Sequence, residues 1–131
     1  MTQLPQVRVS FFLVGDEFNL DNVTKKMNIM PTDTREKKDC PVKQFAYTTW
    51  SLRTEKDSCK AVSVQFERIM KLLLGKEKII NEICNTYNSN VIFEIGIFME
   101  NGDRPEMVLT KEIILFLASI NAEVGFDLYV D

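Results

Sequence analysis

Histidine is absent from this chain of 131 residues. With it go the usual general base near neutral pH and the commonest metal ligand, so Ser-His and Cys-His pairs and histidine-built metal sites are excluded. Cysteine is scarce. Cys40, Cys59 and Cys84 are odd in number and fit no zinc spacing, so they are expected to be reduced thiols, with Cys84 on the core face of a helix. A catalytic cysteine here needs its pKa lowered by a helix N-terminus or a cation. Only Cys59, beside Lys60 and just ahead of a helix, is placed for that. The five glycines, at positions 15, 75, 96, 102 and 125, are too dispersed for a phosphate loop, and no cofactor is expected.

Strong charge of one sign is also missing. Sixteen basic against nineteen acidic side chains leave a formal net charge of −3, which opposes a polyphosphate, so nucleic acid is not an expected partner. The single basic cluster, Arg35 with Lys37 and Lys38, is interrupted by Glu36 and closed by Asp39, and reads as a solvated loop. Every apolar run is too short to span a bilayer. The opening Met1-Thr2-Gln3-Leu4-Pro5 lacks the basic and apolar regions of a secretory signal, so the expected location is cytoplasmic and no membrane partner is expected.

What is present is a globular composition, 45% apolar and 27% charged, on a chain long enough for one domain to bury roughly two-thirds of its unfolded surface. From Gln6 to Val14 the residues alternate, with Val7, Val9, Phe11 and Leu13 on one side and Arg8, Ser10 and Phe12 on the other, the signature of a half-buried strand. Asn19 is a suitable N-cap for a helix carrying Leu20, Val23 and Met27, which Pro31 terminates. Residues 32–43 read as a polar loop and residues 45–54 as a second strand or hairpin, with Trp50 as a core anchor. Ser63 is the expected cap of a helix through Phe66, Ile69 and Leu73, and Gly75 then either breaks or kinks the helical region before Ile79, Ile80, Ile83 and Tyr87.

The last forty residues repeat the opening pattern at greater length. A strand over Val91–Met99 leads through an Asn101-Gly102-Asp103 turn to a helix capped by Thr110, then to Asn121 as a left-handed terminator and a strand over Val124–Val130. Two β-α-β arms around a helical insert predict an α+β, two-layer sandwich: a mainly antiparallel sheet with helices on one face, in a ferredoxin-like arrangement.

Several short motifs recur in a familiar order. They are the Gly15-Asp16 turn, Val23-Thr24-Lys25-Lys26-Met27, Met30-Pro31-Thr32-Asp33-Thr34, Trp50-Ser51-Leu52 and the ending Gly125-Phe126-Asp127-Leu128-Tyr129-Val130. In this order and spacing the chain resembles the DUF4279 family of bacterial domains over nearly its whole length. It departs from the pattern where a Gly-Asp pair after Thr34 is replaced by Lys38-Asp39, which implies a loop of different shape. The resemblance implies a small bacterial domain and brings no activity with it.

Carboxylates remain as candidate acid-base or cation-binding groups. Asp16-Glu17 suits a turn leading into a helix, whereas Asp127, set between Phe126 and Leu128, must lie on an open sheet face or be paired. If the strands share one sheet backed by helices, Arg8, Ser10, Thr49, Ser51, Glu94, Asp127 and Tyr129 project together from the other face. That mixture of hydroxyls, an aromatic and both charge signs suits a protein partner or a polar small ligand, against the plainer alternative of a solvated sheet surface or a face for self-association as a homo-oligomer. The expected function is non-enzymatic protein interaction of an adaptor or immunity-like kind. The alternative is a ligand-sensing module, and an enzyme using Asp127, Glu94 or Cys59 ranks third.

Overall fold

Strand β1 (Gln6–Gly15) organises the molecule described by the computed structural model, which covers residues 4–100 and 102–130. Its alternation holds without exception where it matters: Val7, Val9, Phe11 and Leu13 are all fully buried. Strand β3 (Thr48–Arg53) pairs antiparallel along one edge, setting Leu52 against Phe11 and Trp50 against Leu13. Strand β5 (Asn90–Met99) pairs antiparallel along the other, setting Phe93 against Phe11 and Ile95 against Val9. Because directly opposed residues share a face, the buried face of β1 imposes its side on both neighbours.

Three further strands complete the sheet. The short β2 (Asp33–Arg35) adds beyond β3, β4 (Asp57–Ser58) pairs with Gln6 and Val7 of β1, and β6 (Glu123–Val130) pairs parallel to β5. The order is β2-β3-β1-β5-β6, with β4 off this path. The α+β class is as expected, but the sheet is mixed rather than mainly antiparallel. The ferredoxin-like arrangement is not confirmed either. The last arm is a parallel β-α-β unit of adjacent strands, closed by helix α4 (Lys111–Ser119), whereas in the first arm helix α1 (Leu20–Met27) leads to β2, which runs parallel to β1 but is separated from it by the antiparallel β3. Hydrophobic period reports which face a strand buries and is blind to the direction of its neighbour.

The helices pack on the face that β1 buries. Val23 and Met27 of α1, Phe66 and Ile69 of α2 (Val62–Leu73), Ile80 and Ile83 of α3 (Glu77–Tyr87), and Ile113 and Phe116 of α4 join the strand residues in one core. The opposite face of β1, β3 and β5 carries no buried apolar side chain. Local chemistry sets most helix ends. The Asn19 side chain accepts from the Asn22 N–H and that of Thr110 from the Ile113 N–H, each satisfying an otherwise orphaned donor. Asn28, Asn88 and Asn121 take left-handed conformations with φ of 55°, 52° and 50°, so α1 closes at Asn28, before Pro31 acts. Gly75, with φ of +89°, breaks the helical region into α2 and α3.

Two expectations about ends are corrected. Helix α2 starts at Val62 with Ala61 at its N-cap, so Ser63 lies inside the helix. A long-range contact takes the cap's place: the Val62 N–H donates to the Glu106 carbonyl at 2.9 Å, and Ala61 forms an isolated parallel bridge with Glu106. Residues 32–43 contain β2 and a 3-10 turn at Lys37–Asp39 rather than loop alone. The expected turn at 101–103 lies partly outside the described residues.

Trp50 is fully buried, its ring set edge-on to Phe11 with centroids 6.2 Å apart, and its indole N–H donates to the Thr24 hydroxyl at 2.9 Å. Gln65, also fully buried, donates to the carbonyls of Val7 at 2.8 Å and Glu55 at 3.2 Å, tying α2 to the sheet. Trp50→Ala is expected to cost about 3–5 kcal/mol in urea unfolding, and Thr24→Val, which orphans the indole donor, about 1–3 kcal/mol. A Trp50→Ala loss below about 1 kcal/mol contradicts its anchoring role.

Candidate functional site

The helix-free face of the sheet is built from cross-strand rows. Arg53, Ser10, Glu94 and Gly125 form one row, Arg8, Gly96 and Asp127 the next, and Gln6, Phe98 and Tyr129 a third. On the other side of the Ser10 row lie Ser51, Phe12, Ile92 and Glu123, then Thr49, Val14 and Asn90. All seven residues expected on this face, Arg8, Ser10, Thr49, Ser51, Glu94, Asp127 and Tyr129, therefore share one side of one sheet. They are not equally available. Ser51 is 3% exposed and its hydroxyl donates to the Asp33 carbonyl at 3.1 Å, and Ser10 is 7% exposed. Those two hydroxyls are structural, while Glu94, Asp127 and Tyr129 are open to solvent.

The chemically densest part of the face lies at its Tyr129 corner, where Tyr129 and Arg8 gather around Phe98 with Lys56, the last two not singled out from the sequence. The rings of Phe98 and Tyr129 stack with centroids 4.5 Å apart and planes inclined by 4°. The Lys56 ammonium lies 4.0 Å from the centre of the Phe98 ring and the Arg8 guanidinium carbon 5.7 Å from it, both within cation–π range. Gly96 gives the Phe98 ring its resting place, since a Cβ at that position would stand 3.3 Å from the ring edge. Beside the stack is a hollow of about 210 Å³ lined by Gln6, Lys56, Phe98, Glu100 and Tyr129, among others. It is smaller than most small-molecule sites. The signal for Phe98 was its outward position in the alternation of β5; Lys56, in a link between strands, carries no periodic signal.

A second concavity, an open cleft of about 830 Å³, lies between the start of α1 and the segment carrying β2, lined by Asn19, Asp21, Thr24, Met30, Arg35 and Asp39, among others. The adjoining turn is held by an ion pair between Lys37 and Asp16, and the Asp16 carboxylate raises the Lys37 pKa. The Thr48 hydroxyl also donates to the Asp16 carbonyl, so Asp16 fastens the turn to its surroundings. Glu17 lines a smaller recess beside the cleft with Glu36 and Lys38. Among the described residues no group of three or more Cys, Asp and Glu side chains is arranged to hold a metal ion.

The cysteines are all thiols. Cys59 is 6% exposed and its Sγ–H donates to the Ala61 carbonyl at 2.9 Å, a contact internal to the start of α2. Cys84 packs against the core from α3 as expected, and burial pushes its thiol up, opposed in part by Ser89. The raised Cys84 thiol is a poorer source of a thiolate nucleophile than a free cysteine.

The family model described as "Domain of unknown function (DUF4279)" matches residues 5–131 of the chain. No curated protein and no solved structure matches it.

At pH 8, iodoacetamide is expected to alkylate Cys84 more slowly in the native protein than in urea, read by peptide mass spectrometry. The raised thiol also fixes the sign of a pH effect: above the ordinary thiol range the unfolded chain ionises first, so stability falls as pH rises. Cys84→Ala is expected to flatten that fall. Equal native and unfolded alkylation rates contradict the burial.

Proposed function

We propose a function for this chain, which belongs to the DUF4279 family: it is a bacterial, cytoplasmic interaction domain that binds a partner protein through the open face of its sheet, as an adaptor or immunity-like protein, without catalysis. The observation that carries this reading is the Phe98–Tyr129 stack flanked by Arg8 and Lys56 on a helix-free face. Aromatic and arginine side chains dominate interface energetics because they combine large apolar area, little conformational entropy to lose, and directional polar ends. A stack already formed in the free protein lowers the ordering cost of binding. Glu94 and Asp127 on the adjoining rows add negative charge to the positive Arg8 and Lys56 beside the stack, and the two signs together select partners by electrostatic fit.

A small-ligand sensor is the second reading, and the open cleft of about 830 Å³ beside α1 favours it. Its volume falls within the usual range for ligand sites, and its lining offers Asn19, Asp21, Arg35 and Asp39 as polar contacts. Native mass spectrometry of protein purified from its host separates the two readings: a retained metabolite supports the sensor.

Tyr129→Ala is expected to weaken a captured partner by about 30-fold or more, the loss of about 2 kcal/mol that marks an interface anchor. Arg8→Glu is expected to weaken it further by reversing a charge beside the stack. Both positions lie outside the core, so circular dichroism should be unchanged. A partner bound equally well by folded Tyr129→Ala and Arg8→Glu proteins contradicts the open face as the binding surface.

A further inference from the structure

The two ends of the sheet are made differently. At one end β2 is three residues long, fully exposed, and carries Asp33 and Arg35, a short charged edge of the kind that discourages further pairing. At the other end β6 runs for eight residues and, among the described residues, is paired along one side only, with β5. Its register sets Val124, Phe126, Leu128 and Val130 beside Phe93, Ile95, Ile97 and Met99, on the side the helices cover. Phe93, Ile95 and Ile97 are fully buried, yet Phe126, Leu128 and Val130 remain 46%, 54% and 65% exposed. The helix layer thus ends before it reaches β6. A long apolar strand with a free edge is a configuration that soluble proteins ordinarily cover or disrupt.

We propose that β6 pairs antiparallel with β6 of a second copy of this chain, forming a two-fold dimer in which the two sheets continue as one. The strand's own sequence selects the occupant, because its longest register free of opposed like charges is complementary to itself, whereas centring the axis on Leu128 or Val124 pairs only the strand's end. With Phe126 on the two-fold axis, Phe126 meets Phe126, Val124 meets Leu128, Gly125 meets Asp127 and Glu123 meets Tyr129 of the other copy. Every apolar side chain of the covered side then faces another, and each carboxylate faces glycine or a phenol. Centring the axis on Asp127 instead opposes two Asp127 carboxylates, and centring it on Gly125 opposes Glu123 to Asp127. Like charges directly opposed destabilise a pair. Registers between these turn the apolar side of one copy onto the polar side of the other. The Phe126-centred pairing also satisfies the isologous geometry of a closed dimer, with no further edge left to propagate at β6.

This inference does not rest on the recognition reading: the dimer's apolar contact is made by helix-side residues of β6, and its open-face residues enter only in fixing the register. Light scattering at about 100 µM, far above a micromolar Kd, is expected to give twice the chain mass. Phe126→Lys, or Leu128→Glu as a second exposed position, is expected to give the single-chain mass with unchanged circular dichroism. The register is tested by mild oxidation: Phe126→Cys should cross-link to itself between copies, since opposed antiparallel residues meet disulfide distances. Leu128→Cys should not, because two such residues lie offset along the strands. Peptide mass spectrometry distinguishes these links from any at Cys40, Cys59 or Cys84. A single-chain mass for the unaltered protein, a dimer that survives both charge substitutions, or cross-linking at 128 as efficient as at 126 each overturns the proposal.

Discussion

The burial of one side of β1 is the constraint on which the remaining structure rests. Val7, Val9, Phe11 and Leu13 are completely withdrawn from water, and burying side chains of this size stabilises by about 1.5–3 kcal/mol each. A slip of one residue would exchange them for Arg8, Ser10, Phe12 and Val14 and present a guanidinium to the core. With the register of β1 fixed, its pairing partners must follow. Trp50 and Leu52 of β3, and Phe93, Ile95 and Ile97 of β5, fall on the helix side for the same reason. The open face is the complement of this choice, so its chemistry is inherited from the residues the core rejects.

The helix layer gives the sheet its asymmetry. It covers the middle of the sheet, and α4 serves as the crossover that a parallel β5–β6 pair needs. It leaves bare both the polar face and the helix side of β6. These surfaces differ in kind. The first carries Arg8, Lys56 and Tyr129 gathered around the Phe98 ring, with carboxylates on the adjoining rows, chemistry suited to a partner of different composition. The second is apolar and matches itself. The two adjoin along β6, where Tyr129 and Asp127 point to one side and Phe126 and Leu128 to the other, so one strand serves both.

Much of the architecture was legible because local signals and tertiary packing agree. Alternation in Gln6–Val14, Val91–Met99 and Val124–Val130, and the caps at Asn19, Thr110 and Asn121, each depend on a few neighbouring residues. The illegible parts rest on distant contacts. Strands β2 and β4 are two or three residues long and exist because β3 and β1 offer edges to them. Ala61 caps no helix by side chain, and Glu106 provides the missing partner from far along the chain. Strand direction is invisible to hydrophobic period, which is why the mixed sheet went unread. In the site, alternation along β1, β3, β5 and β6 puts the seven residues on one side of the sheet, but it could not foresee that Ser10 and Ser51 would be covered by their neighbours. Nor could it foresee that Lys56 would arrive over Phe98 from a link between strands.

The two-sided sheet is tested most directly by single cysteines placed at adjacent positions of a central strand and labelled in the folded protein. Glu94→Cys, on the open face, is expected to react with a maleimide at nearly the rate of an exposed thiol. Ile95→Cys, one residue on and facing the helices, is expected to react only through unfolding, with peptide mass spectrometry assigning each label. Equal protection at 94 and 95 would show both faces covered and contradict a sheet with one bare side.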